Sequence, residues 1–210
     1  GGQSARTFGA DLEYSEKRTL LKYGALFLHQ KPFPYLEFKN FLQEEKAKLV
    51  LKALKKEQFL SKESDLFKFK QTNDFKSTKN SVLRELQSFL SSPELISFMN
   101  SITSTSLKSN VIDLNGSLYE DTNFLLCHDD LVEDRKIAYF YYLSDLTEND
   151  GGQLNLFSSN NKKPTAIGKQ IIPQFNTFAF FLVSEKSFHS VEEMISKKQR
   201  YALSGWFHGN

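Results

Sequence analysis

The sequence predicts an α+β domain in which a helical layer supports an all-β core. Three observations predict it. Apolar residues recur at helical spacing in the first half of the chain. Short segments rich in β-branched and aromatic residues fill the second half, and Gly, Asn, Asp and Pro turn signals separate them. A length of 210 residues suits one ordinary domain, and 20 phenylalanines favour strands and large buried rings.

Residues 1–30 read as an N-terminal extension, since residues 1–18 show no sustained apolar period and the opening Gly-Gly carries no fold signal. Lys31-Pro-Phe-Pro-Tyr-Leu36 is a stiff extended entry, because proline fixes φ and disfavours helix in the residue before it. From Asn40 a helix is predicted, with Ala47, Val50, Leu51 and Leu54 at i, i+3, i+4, i+7 and most lysines on the other faces. Asp65–Gln71 alternates and reads as a strand, and residues 70–79 as a loop. Ser81–Leu90 is helical, and Ser92-Pro93-Glu94 starts another helix with a cap hydroxyl, a first-turn proline and an acid at the positive end of the dipole. On it, Phe98 and Met99 read as core.

Ser-, Thr- and Asn-rich residues 101–110 read as a long loop. Strands are predicted at Ser117–Cys127, Lys136–Leu143, Gln153–Phe157, Lys169–Ile172, Thr177–Ser184, Phe188–Glu192 and Tyr201–Phe207, with turns at Asn115-Gly116, Asp150-Gly151-Gly152, residues 158–161, Pro173 and Gly205. Strands at this spacing make a sandwich or barrel. The domain thus spans 31–210, with helical support over about 40–110 and the β-core over about 111–210.

Composition excludes several classes. At 40% hydrophobic and 25% charged residues the chain is ordinary globular protein. Its apolar runs, such as Phe178–Val183, are far short of the roughly 18 residues a membrane helix needs. Leu20–Leu28 is broken by Lys22 and Gly24 and lacks a cleavage site, so no secretory signal is visible. One cysteine, Cys127, excludes an internal disulfide framework and a multi-cysteine zinc site. A soluble protein of a reducing compartment is expected. A net charge of +2 does not mark a nucleic-acid binder.

Four histidines are present: His29, His128, His189 and His208. On a strand, His128 and Asp130 would share a face, with Asp129 pointing away. Cys127 would then face opposite His128 as buried packing. A jelly roll could return the strand of His189 beside the first. Two imidazoles and one carboxylate on one face of a metal suit non-haem Fe(II) with open positions. Arg200 is one of few arginines, and a guanidinium fork grips a carboxylate where lysine cannot; its other reading is a surface ion pair. Tyr119 and Tyr142 read either as phenolic donors inside the barrel or as strand aromatics with wetted tips, and Trp206 and Phe207 either as pocket wall or as core.

Several stretches then carry a family resemblance. They are Cys127-His-Asp-Asp130, Arg135-Lys-Ile-Ala138 through Leu143, Gly151-Gly-Gln-Leu-Asn-Leu-Phe157, Ser187-Phe-His-Ser-Val191 and Arg200 through Gly209. Together they resemble the Fe(II)/2-oxoglutarate-dependent oxygenases. Pro32-Phe-Pro, Asp65–Asp74 and the Ser204–Gly209 ending make the chain most similar to the prolyl hydroxylases that modify a small-subunit ribosomal protein. The resemblance runs from about residue 32 to the end, and the HxD…H…R set alone marks the superfamily.

That resemblance implies a double-stranded β-helix (jelly-roll) core. It implies His128, Asp130 and His189 as the iron ligands and catalytic centre, Arg200 as partner of the distal carboxylate of 2-oxoglutarate, and Tyr142 and Tyr119 as hydrogen-bonding partners of that cosubstrate. Fe(II), 2-oxoglutarate and O2 would be the cofactors, with ascorbate in support. A proline-containing segment of a small-subunit ribosomal protein would be hydroxylated, with succinate and CO2 released, in the cytoplasm and nucleus. Asp130 in the carboxylate position favours hydroxylation over halogenation. Family members usually continue into a second, catalytically silent β-helix domain, whereas this sequence stops at Asn210. The segments 104–116, 129–135 and 160–163 are the expected grips on a peptide. The same core acting on another protein or on nucleic acid, and a non-catalytic β-barrel binding module, are the alternatives.

Overall fold

The computed structural model describes residues 17–210. Four helices, α1 (Lys17–His29), α2 (Glu44–Lys55), α3 (Ser81–Leu90) and α4 (Pro93–Thr103), pack against one face of a rolled antiparallel sheet. The strands are β1 (Tyr35–Phe38), β2 (Leu60–Glu63), β3 (Phe67–Gln71), β4 (Leu107–Ile112), β5 (Asn115–Tyr119), β6 (Phe124–His128), β7 (Arg135–Tyr142), β8 (Leu154–Asn160), β9 (Lys163–Ile171), β10 (Thr177–Leu182), β11 (His189–Val191) and β12 (Arg200–Gly209). Their order, β1-β10-β7-β12-β5-β3-β6-β11-β8-β9, is that of a jelly roll; β2 pairs with β3 and β4 with β12. β3 joins the two halves, pairing with β5 at one end and β6 at the other.

The period of two along the central strands builds two cores back to back. Ile137, Tyr139 and Tyr141 of β7, Phe178 and Phe180 of β10, and Tyr201, Leu203 and Phe207 of β12 face the helices. The alternate residues Ala138 and Tyr142, Ala179 and Phe181, and Ala202 face the interior of the roll. Phe207 therefore belongs to the helix-side core.

The predicted cap forms, with Ser92 Oγ accepting from the Leu95 amide at 3.2 Å; a second cap, which the sequence reading did not single out, is Asn80, whose Oδ1 accepts from the Val82 and Leu83 amides ahead of α3. Met99 is buried and Phe98 half-buried, as core residues.

Several boundaries depart from the sequence reading. Residues 1–16 of the expected extension lie outside the described residues, but Lys17–His29 is a helix of the domain, with Phe27 fully buried and stacked on Phe180 at 5.7 Å. Gly24 interrupts its apolar stripe in the sequence. α2 starts at Glu44, not Asn40, because Asn40 is left-handed (φ 52°) and Asn176 holds Leu42 by both its amide and its carbonyl. The polar stretch at 101–110 is the end of α4 and then β4; Ser104 in the left-handed region stops the helix. Asn115-Gly116 is strand, and Gly116 lets Leu54 of α2 pack close, since a Cβ there would lie 2.5 Å from the Leu54 side chain. The predicted strand 117–127 breaks into β5 and β6 around left-handed Thr122. β8 and β9 meet in a tight turn at Asn161-Lys162, both at positive φ, so β9 begins at Lys163 instead of Lys169.

Candidate active site

β6 and β11 are antiparallel neighbours whose register sets His128 directly opposite His189. The imidazole centroids are 4.2 Å apart. Strand alternation does not bring Asp130 to them: β6 ends at His128, and Asp130 follows in a left-handed conformation (φ 60°) that turns its carboxylate back. Aspartate tolerates that region better than most residues. Ser187 pins the turn by donating its hydroxyl to the Asp129 carbonyl at 2.6 Å. Asp130 Oδ1 lies 3.0 Å from His128 Nε2 and Oδ2 lies 3.1 Å from His189 Nε2. One ligand atom from each residue falls within 4.8 Å of the others, a spacing at which all three could hold one metal ion.

The far side of each imidazole fixes its hydrogen. His128 Nδ1 is 2.9 Å from the Leu126 carbonyl, and His189 Nδ1 is 2.7 Å from the Ser187 carbonyl. A carbonyl can only accept, so each Nδ1 carries hydrogen and each Nε2 is presented to the centre. Burial favours the neutral Asp130 carboxyl, but the hydrogen bonds and charges of His128 and His189 outweigh it and hold the group well below the usual carboxylate range. At His128 burial opposes charge, yet the Asp130 hydrogen bond and charge raise the imidazole above its ordinary value.

β12 carries Arg200 inward at the other end of the cavity, opposite Tyr119 in register, with Ala202 opposite Tyr142. Its Cζ lies 4.8 Å from the Tyr119 ring centre and 5.2 Å from that of Tyr142. Tyr119 in turn stacks on Phe69 at 4.9 Å. Arg200 Nε donates to the Gly152 carbonyl at 2.7 Å, whereas its second terminal nitrogen and the Tyr142 hydroxyl are buried without a partner. Burial pushes both tyrosine hydroxyls well up, and the nearby guanidinium only partly offsets this, so both stay protonated donors. A buried cation with idle donors beside it is costly unless an anion completes it. The donor set therefore fits a ferrous ion at the His-Asp-His end and the distal carboxylate of a keto acid at the arginine end.

The cavity between these ends measures about 370 Å³ and is walled by Phe140, Trp206, Leu125 and Val191 among others. Trp206 thus takes the pocket-wall reading, with Arg135 3.5 Å above its ring. Two sequence readings change here. Cys127 is exposed, not buried packing: the β6–β11 register shifts between the His189 and Val191 pairs, and Cys127 and its neighbour Leu126 are left uncovered there. Of the expected peptide grips, 104–116 is not a loop but largely β4 and the start of β5, whereas 160–163 is a turn as expected, between β8 and β9. Gly152 is a residue that sequence reasoning took only for a turn. At φ 76° it supplies the carbonyl that orients Arg200, and a Cβ there would meet Met194 Sδ at 2.6 Å. Its signal was the doubled glycine before a strand.

Residues 114–208 match the 2OG-Fe(II) oxygenase superfamily. The chain thus carries a domain of that superfamily, whose description implies Fe(II), 2-oxoglutarate and O2. Within it, the chain is 36% identical over 197 residues to the Xenopus laevis protein called prolyl 3-hydroxylase OGFOD1, covering 90% of this chain and 37% of that one. It is 35% identical over 197 residues to prolyl 3,4-dihydroxylase OGFOD1 of Ostreococcus tauri, covering 84% and 38%. This chain thus spans little more than a third of the length of these relatives. Among solved structures, a Pseudomonas putida prolyl-4-hydroxylase superimposes with a TM-score of 0.72 at 15% identity, covering 90% of this chain and 99% of that one. That likeness shows the jelly-roll fold.

Proposed function

We propose that this chain is the oxygenase domain of a peptidyl-prolyl hydroxylase, acting on a prolyl residue of a small-subunit ribosomal protein. The observation that carries the reading is the convergence of His128, Asp130 and His189 at one end of a cavity whose other end holds the buried, half-satisfied Arg200. His128, Asp130 and His189 would hold Fe(II), and Arg200 with Tyr142 and Tyr119 would hold 2-oxoglutarate. When bound, iron and cosubstrate supply the oxidising power that places one oxygen atom of O2 on a ring carbon and the other in succinate, with release of CO2.

The chain's own residues do the rest. The backbone carbonyls of Leu126 and Ser187 orient the imidazoles. Gly152 and the two tyrosines fix the guanidinium, and the apolar walls exclude water from the centre. The prolyl assignment rests on the names of the relatives, and the ribosomal one on the likeness of Asp65–Asp74 and Ser204–Gly209 to that branch. Ascorbate would keep the metal ferrous, and the location would be cytoplasm and nucleus.

The test is mass spectrometry of tiled small-subunit ribosomal-protein peptides after incubation with the protein, Fe(II), 2-oxoglutarate and ascorbate. One peptide should gain an oxygen atom on proline with equimolar succinate, and His189→Ala should abolish the gain. Oxidation away from proline, or an equal gain with His189→Ala, contradicts the reading.

A further inference from the structure

We propose that a groove on the outer face of the β6–β11 sheet docks a basic residue of the peptide substrate, three or four residues from the target proline. This deepens the function proposed above and rests on it. The groove is floored by Phe124, Phe157 and Leu126 and rimmed by Asp65, Glu192 and Glu193, with a volume of about 490 Å³. It shares Leu125, Leu126, Cys127 and Val191 with the metal cavity, so the two are continuous across the exposed end of β6. Leu126 is 49% exposed, a large apolar side chain left open to solvent beside the reaction centre.

The occupant follows from charge. All three carboxylates are exposed, none forms an ion pair with a described residue, and no basic side chain lines the groove. Lys68, opposite Phe124 in the register, is not part of the lining. An apolar floor under an acidic rim fits the lysine or arginine side chain, whose stem packs on hydrocarbon while its head stays with carboxylates and water. At the rise of a strand, Glu192 is about 10 Å along the chain from His189, and Phe124 about 13 Å from His128. That is three to four residues of extended peptide.

The probes are short fluorescein-labelled peptides with one central proline and either lysine or glutamate at the third and fourth positions on each side. Binding is read by anisotropy, without oxygen, to protein holding Fe(II) and 2-oxoglutarate, and hydroxylation by mass spectrometry in air. The lysine peptide should bind about tenfold tighter than the glutamate peptide. Asp65→Lys with Glu193→Lys should reverse the preference, and Glu193→Gln should weaken it. Glu192 is left in place because it also accepts a hydrogen bond from Asn155 at 2.7 Å. Equal binding of the two peptides, or a preference untouched by the double reversal, overturns the groove whether or not hydroxylation is seen. A lysine preference that reverses, without oxidation of either peptide, supports the groove while counting against the hydroxylase reading.

Discussion

Arg200 does two jobs with one side chain. Nε holds the Gly152 carbonyl, and on the proposed function the remaining edge of the fork would take a carboxylate. Arg200→Lys replaces a planar fork by a point charge and loses one of the two jobs. The KM for 2-oxoglutarate should rise about tenfold to a hundredfold with a smaller fall in kcat, and steady-state kinetics at varied cosubstrate checks it. Gly152→Ala strains a left-handed backbone and drives a methyl group into Met194, so the same KM should rise together with a loss of roughly 1–3 kcal/mol in thermal unfolding. The convergence of His128, Asp130 and His189 was suggested by residue type and spacing, but its geometry was not. The HxD pattern suggests strand alternation, whereas Asp130 reaches the centre through a left-handed turn and a hydroxyl from Ser187. Backbone dihedrals of this kind leave little trace in one sequence.

At the scale of elements, α1 and β12 carry the most weight. β12 alternates between the two cores from Arg200 to Phe207, which is why one strand supplies Arg200 and Trp206 to the cavity and Leu203 and Phe207 to the helix-side core. The strand was readable in the sequence, but Trp206 and Phe207 were given one shared reading there, and the alternation separates them. α1 was not readable, because Gly24 and Lys22 interrupt its stripe and only packing against the sheet makes it a helix. Phe27 is fully buried against Phe180, so Phe27→Ala should cost about 3–5 kcal/mol by denaturant titration while leaving the metal cluster in place. β4 was hidden for a different reason: its Ser- and Asn-rich stretch gains strand geometry by pairing with β12, a long-range partner no local window contains.

For the whole molecule, Asp130 and His128, two of the three proposed metal ligands, couple protonation to stability and to loading. The Asp130 carboxyl is depressed in the folded state, so its contribution is present above about pH 4 and is lost as pH falls below that. The His128 imidazole is raised, so its contribution is present below about pH 6.5 and is lost as pH rises through its folded value. Metal must displace that imidazole proton, so loading gains from rising pH. The increase in Tm produced by Mn(II) should therefore be larger at pH 8 than at pH 6, as differential scanning fluorimetry can read; an equal increase would contradict the coupling. The rolled sheet makes this possible by bringing residues 128 and 189 into register and placing Arg200 behind them.

The most direct measurement is an anaerobic titration of the protein with Fe(II) and 2-oxoglutarate, followed by visible absorption. A weak charge-transfer band that saturates at a single iron per chain and disappears in His128→Ala is predicted, with Arg200→Lys needing more 2-oxoglutarate to reach it. The absence of a band in the unaltered protein, or its persistence in His128→Ala, would contradict the account.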